Sequence, residues 1–323
     1  MSNLLIGLLG ALLATNQTVA VTNFVAKKTG VTIPLADPND PVEQAYSKLL
    51  EDDDAAQVEV DKWIRENEKF AEKGAGGVAD AALQLRIEQR FEPVHKAYQE
   101  FLERHPKHAR ARLAYGSFLN DIGKEADAKG HWEKALELDP KNPAAWNNLA
   151  NYYGHRGPIT NAFVNYQKAI ELNPNEPVYY QNFATTVYLF RRDAMEFFKI
   201  DEPRVFDRAL ELYRQALKLD PANLALATDY AQSYYGIKPL RYDEAMSAWG
   251  EALKIANDDV TREGIYLHFA RLQLNTGRFN EARTNLNLVT NEQFKVLKDR
   301  LARNLVEKEK KTNEVNSTAE AKK

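Results

Sequence analysis

The side chains that most often carry out chemistry are thinly spread along this chain of 323 residues. Six histidines are present and cysteine is absent, which excludes disulfides, thiolate metal sites and cysteine nucleophiles. His105 and His108 form one close pair, but too few other ligands surround it for a metal site. No glycine-rich phosphate loop and no hydrolase or zinc-protease signature occurs. We therefore predict a protein that is not an enzyme and has no catalytic residue, metal or cofactor.

The charge balance of the chain indicates which class of partner it binds. The net charge is −3 and the isoelectric point is near 6.1, so the chain lacks the cationic footprint of a nucleic-acid-binding protein. Residues that favour helices dominate, and no alternating strand pattern is found. These features predict an all-α protein whose partner is a protein or peptide, with no nucleic acid.

Prolines that recur at a fixed period in the sequence predict the helices that would position binding residues. Pro106, Pro140 and Pro174 stand 34 residues apart, each after an amphipathic helical stretch, and Pro221 follows after 34 plus 13 residues. Proline cannot continue a helix, because it lacks the N–H and clashes with the preceding turn. A period of this length indicates stacked units, each made of two antiparallel helices that we call A and B.

The residues between the prolines follow a recognisable pattern. One unit reproduces the spacing W-x2-L-G-x2-Y, A-x3-F, P, with Ala for Gly and Tyr for Phe: Trp146, Leu149, Ala150, Tyr153, Ala162, Tyr166 and Pro174. The chain therefore resembles the tetratricopeptide repeat (TPR) family over roughly residues 109 to 290. The resemblance implies a right-handed superhelical solenoid of antiparallel helix pairs, with capping helices at both ends.

The pattern also divides the chain into segments. The repeat units are 109–142, 143–176, 177–223 with an insertion, 224–258 and 259–290. The flanking segments are an apolar stretch (1–30), N-terminal helices with an acidic junction (31–74), a degenerate repeat in which Glu92-Pro93 would restart a helix (75–108), a C-terminal capping helix (291–311) and a disordered tail (312–323).

In this family the A helices line a concave groove, and the resemblance implies that ligands lie there. Side-chain amides carry both donors and acceptors, so a ladder of them can hold the backbone of an extended peptide whatever its sequence. We predict a peptide-binding groove formed by Asn147, Asn148, Asn151, Gln181, Asn182, Thr185, Thr228, Asp229, Gln232, His268 and Arg271.

The 13-residue insertion is a second candidate site, because insertions in repeat proteins often lie at a binding edge. It interleaves aromatic residues with cations: Phe190, Arg191, Arg192, Phe197, Phe198 and Lys199. The alternative is a lengthened A helix whose phenylalanines pack on the neighbouring unit.

The N-terminal segment allows several interpretations. No charged side chain occurs from Ser2 to Ala26. A secretory signal would begin with positive residues, and a membrane span would need about 20 apolar residues, which residues 15–18 interrupt. The segment could pack on the protein or on a second copy to give a homodimer, anchor the chain in a membrane through residues 4–26, or direct secretion to the periplasm through residues 1–26. The first is favoured and leaves the repeats in the cytoplasm.

These observations predict a scaffold or assembly adaptor for protein–protein interaction, which holds a peptide or protein segment in the concave groove. The alternative is a membrane-anchored or self-associating structural protein that uses the N-terminal apolar helix, with the repeat array as a spacer.

Overall fold

The computed structural model describes residues 39–72 and 80–320, and the regular elements within these ranges are all helices. This confirms the all-α class and the helix pairs that the 34-residue period predicts. The chain forms two compact units, the first ending at Glu176 and the second beginning at Pro177.

In its described residues, unit 1 consists of three helix pairs. The helices are α1 (Pro41–Glu72), α2 (Asp80–Arg104), α3 (Ala109–Asp121), α4 (Glu125–Leu138), α5 (Pro143–Arg156) and α6 (Ile159–Leu172). Small residues lie where paired helices cross: Ala150 and Ala162 are fully buried between α5 and α6. Asn142 caps α5, because its side chain accepts hydrogen bonds from the N–H groups at the start of that helix.

Unit 2 continues the pattern with one addition. Its helices are α7 (Pro177–Leu189), α8 (Arg191–Phe198), α9 (Glu202–Leu219), α10 (Leu224–Ser233), α11 (Tyr242–Ile255), α12 (Asp259–Asn275), α13 (Phe279–Asn287) and α14 (Lys295–Glu320). The pairs are α7 with α9, α10 with α11, and α12 with α13. Leu301 and Leu305 of α14 are buried in the apolar cluster formed with α12 and α13.

Two helix breaks that the sequence predicts do not occur in the described residues. The acidic run Glu51–Asp54 lies inside α1 and not at a junction, because Asp53 is buried and accepts hydrogen bonds from Tyr98 and Gln57. Helix α2 continues through Pro93, since its apolar stripe packs against α1. Residues 80–104 therefore supply one long helix, and not the degenerate pair predicted for 75–108.

Two further segments differ from the prediction. The insertion folds into a separate short helix, α8, and does not lengthen α7. Helix α14 extends to Glu320, past residue 311, so residues 312–320 are helical where the sequence predicts disorder. Pairs such as Lys311 and Glu307, one turn apart and 2.6 Å between charged atoms, stabilise such an exposed helix.

The predictions made for residues 1–26 fall outside the described residues. Within residues 39–72 and 80–320, none of the helices combines the length and the apolar character that crossing a membrane requires.

Candidate functional site

The predicted groove amides of unit 1 contact their own chain. Asn147 is buried, with 5% of its surface exposed. Asn148 donates a hydrogen bond from Nδ2 to Ser117 Oγ on α3 (3.2 Å), and the Tyr166 hydroxyl donates to Asn151 Oδ1 (2.6 Å). These three amides therefore stabilise the repeat stack, and an incoming peptide would have to compete for them.

In unit 2 the predicted groove residues of successive A helices meet. Gln181 on α7 donates from Nε2 to Asp229 Oδ2 on α10, at 2.9 Å, across 48 residues of sequence. Thr185 exchanges a hydrogen bond with the Tyr213 hydroxyl (2.8 Å), and Thr228 donates to the carbonyl of its own helix. Asn182, half-buried, lies on the same helix as Gln181. The A helices α7 and α10 therefore present adjoining polar faces.

The next A helix joins this surface through aromatic contacts. The hydroxyl of Tyr235, in the 3-10 turn that follows α10, lies 2.9 Å from Nδ1 of His268 on α12. Burial, aided by the charge of Arg271, lowers the pKa of His268 to about 4. Its neutral ring stacks on Trp249 at 3.9 Å. His268 is therefore a packed, uncharged residue at neutral pH, whereas Arg271 lies exposed with its guanidinium 4.6 Å from the Tyr235 ring.

We name this surface of unit 2 the A-helix row and define it as Gln181, Asp229, Gln232, Tyr235 and Arg271. Gln232 and Arg271 are exposed, and the other three are half-buried. The row combines an amide, a carboxylate, an aromatic ring and a cation. Such a surface can bind the polar backbone and an apolar or acidic side chain of an extended segment.

The insertion residues divide between packing and exposure. The Phe198 ring lies 6.3 Å from Phe183 of α7 and 4.0 Å from the Arg208 guanidinium of α9, and Phe197 packs edge-on against it. Phe198 thus packs on helices of its own repeat. Phe190 and Arg191 are half-buried, and Arg191 pairs with Glu202 at 3.2 Å, whereas Arg192 and Lys199 are exposed.

Sequence reasoning missed two cavities in unit 1. The α2–α4 cavity has a volume of about 410 Å³ and lies between α2, α3 and α4. The α4–α6 cavity, of about 570 Å³, lies between α4, α5 and α6. The sequence did contain a signal for these cavities. Arg112 and Trp146 lie at equivalent positions of consecutive repeats, and one side chain is cationic whereas the other is aromatic.

Residues 131–157 match the family model of the tetratricopeptide repeat. Comparison with curated proteins gave no match to this chain. Solved structures with a similar fold include PilF of Pseudomonas aeruginosa (17% identity, 75% of this chain and 93% of that chain covered, TM-score 0.49). MamA shares 24% identity over 55% of this chain and 95% of its own, with a TM-score of 0.43. YrrB is described as a TPR protein with an unusual peptide-binding site. It shares 15% identity over 60% of this chain and 91% of its own, with a TM-score of 0.47.

Proposed function

We propose that this chain, in which residues 131–157 match the tetratricopeptide repeat, is a non-enzymatic adaptor that binds a protein or peptide segment along its A helices. Within the groove predicted from the sequence, the proposed binding surface is the A-helix row of unit 2. In unit 1, Asn147 is buried and Asn148 and Asn151 are hydrogen bonded internally. Repeat arrays bind partners on extended surfaces formed by successive units, which favours this role.

The observation that carries the proposal is the meeting of three A helices at one surface. Gln181 and Asp229 join α7 to α10, and the Tyr235 hydroxyl joins the turn after α10 to α12 through His268. Contacts between these side chains hold the row in place before a partner arrives. Binding to a preformed surface loses less conformational entropy than binding to a mobile one.

The test is affinity capture from the native host with the full chain. The variant carries Gln232→Glu and Arg271→Glu, because both side chains are exposed and their replacement leaves the core unchanged. The matched control is Lys254→Glu, which reverses a charge on a B helix where the side chain is 69% exposed. Circular dichroism establishes that all three proteins fold.

We expect wild type and the Lys254 variant to retain the same partner and the double variant to lose it. If the double variant is folded and retains that partner at wild-type yield, the A-helix row is not the binding surface.

A further inference from the structure

The two cavities of unit 1 occupy the same place in consecutive repeats. Residues that line the α4–α6 cavity stand 34 positions after residues that line the α2–α4 cavity. Arg112 corresponds to Trp146, and Gly130 corresponds to Val164. The same cavity therefore occurs in two consecutive repeats. The residues that line the α2–α4 cavity are mostly polar and include two cations, whereas the α4–α6 cavity is largely apolar.

The cations of the α2–α4 cavity are not paired with carboxylates. Arg112 donates from Nη2 to the Pro106 carbonyl at 3.3 Å, and Lys124 Nζ lies 3.4 Å from Nε2 of His95. Among the described residues, neither cation has a carboxylate within ion-pair distance, although Asp127 lines the same cavity. By contrast, most other surface cations of unit 1 that form close contacts pair with a carboxylate one helical turn away or on the adjacent helix. One example is Arg156, which lies 2.6 Å from Glu125.

Two buried nitrogen atoms in this cavity also lack a hydrogen-bond partner within the described part of the chain. They are Arg112 Nε and His131 Nδ1. A buried polar nitrogen without a partner costs free energy; Arg112 Nε is always a donor, whereas His131 Nδ1 is a donor in only one tautomer of the neutral ring. An acceptor that reaches Arg112 Nε would supply its missing partner.

A glycine keeps the cavity open. Gly130 lies inside α4, where glycine destabilises a helix by about 1 kcal/mol relative to alanine. A Cβ atom at this position would meet no neighbouring atom within 4 Å, so packing does not require the glycine. The equivalent residue in the next repeat, Val164, is half exposed and lines the apolar cavity.

We propose that the α2–α4 cavity binds a carboxylate of a partner peptide, held by Arg112 and Lys124. The charge count favours a carboxylate over a phosphate, because two cations and Asp127 leave one positive charge. Charge-assisted hydrogen bonds from arginine suit a carboxylate in particular. The proposal rests on the peptide-binding role proposed above but uses different residues from the A-helix row.

The histidines of the cavity give a direct readout. Burial, followed by the charge of Arg112, lowers the pKa of His131 to about 4. Asp127 and His95 are the other titratable groups that act on it. A bound carboxylate would favour the imidazolium form, so the pKa of His131 should rise when the ligand is present.

The experiment titrates the full chain, with isotope-labelled histidines, and follows the His95 and His131 ring signals by NMR. The probes are acetyl-Gly-Gly with a free C-terminal carboxylate, acetyl-Glu amide with a side-chain carboxylate, and acetyl-Gly-Gly amide with neither. Inorganic phosphate is the comparator. The two carboxylate probes distinguish a peptide C-terminus from an acidic side chain as the natural source.

We expect at least one carboxylate probe to shift both signals saturably and to raise the pKa of His131, while the amide does neither. Lys124→Gln should weaken binding about tenfold, the loss typical of one charge-assisted hydrogen bond. Gly130→Val should abolish binding without loss of stability, and Gly250→Val, also in open space on a helix, should leave binding unchanged.

The proposal is overturned if neither carboxylate shifts the signals, if phosphate binds more tightly than both, or if the Gly130 variant binds as wild type does. The variants at Gln232 and Arg271 should bind the probes normally. Failure of this site and failure of the A-helix row can therefore be distinguished.

Discussion

Removal of the Tyr98 hydroxyl should destabilise unit 1 because it leaves a buried carboxylate without its shortest hydrogen bond. Asp53 is 2% exposed, and Tyr98 is fully buried and donates to Asp53 Oδ2 at 2.6 Å. A second donor, Gln57, lies 3.0 Å from Oδ1. A hydrogen bond to a charged group contributes about 1.5–3 kcal/mol and one between neutral groups about 0.5–1.5 kcal/mol. Tyr98→Phe should therefore cost about 2–3 kcal/mol at pH 7.

The effect should depend on pH with a defined sign. Burial raises the pKa of Asp53, and the hydrogen bonds from Tyr98 and Gln57 oppose that rise. A carboxyl whose pKa is raised in the folded state binds more protons there than in the unfolded state, so its contribution to stability falls as pH rises through the raised pKa. At pH values low enough to protonate Asp53, the cost of Tyr98→Phe should fall to about 1 kcal/mol.

The assay is urea denaturation followed by circular dichroism, on wild type, Tyr98→Phe, Asp53→Asn and the double variant. The asparagine can still accept from the Tyr98 hydroxyl but carries no charge. The double-mutant cycle should give a coupling free energy of about 1–2 kcal/mol at pH 7 and a smaller one in acid. A cost below about 0.5 kcal/mol for Tyr98→Phe, or an equal cost when Asp53→Asn is already present, would refute the reasoning.

Three further predictions concern other parts of the fold. Gly116→Ala should lower the unfolding midpoint, because its Cβ would lie 2.6 Å from Trp132 Cδ1, and the overpacking cost of about 1–3 kcal/mol exceeds the gain in helix propensity. Ala162→Leu should cost a similar amount in urea denaturation, since Ala162 is fully buried at a helix crossing; an unchanged midpoint would contradict the repeat register. The hydrogen bond from the Asn291 N–H is the largest of several effects that lower the pKa of Glu263. The carboxylate of Glu263 therefore stabilises the fold above its unfolded pKa, and this contribution is lost as pH falls through its folded pKa. Glu263→Gln should make the free energy of unfolding, measured against pH, fall less steeply in acid.

The helix pairs between residues 109 and 290 could be predicted from local pattern. Proline ends a helix through its own ring and missing N–H, and a pair of small residues such as Ala150 and Ala162 permits a close crossing wherever it recurs. These effects act within one or two turns of the chain, so 34-residue spacing is enough to locate them. The breaks expected near Asp54 and at Pro93 were wrong, because packing of α1 on α2 outweighed the local signals.

The residues of the proposed A-helix row could be predicted in part. The sequence identified Gln181, Asp229 and Arg271 as A-helix side chains, and the structure brings their helices together. It could not show that the amides of unit 1 are occupied. That depends on whether Ser117 and Tyr166, from other helices, come within hydrogen-bond distance.

The sequence by itself therefore determined the repeat and the small residues at its helix crossings, because each depends on steric properties of residues close together in the chain. The tertiary structure alone decided which polar groups are buried with a partner and which remain available. In the sequence Asp53 is one residue of an acidic run, and only the fold places it beside the Tyr98 hydroxyl, which donates to it. Likewise, the α2–α4 cavity forms only where three helices meet around Arg112. Hydrogen-bond satisfaction and cavity shape arise from contacts between residues distant in sequence, which periodicity does not encode.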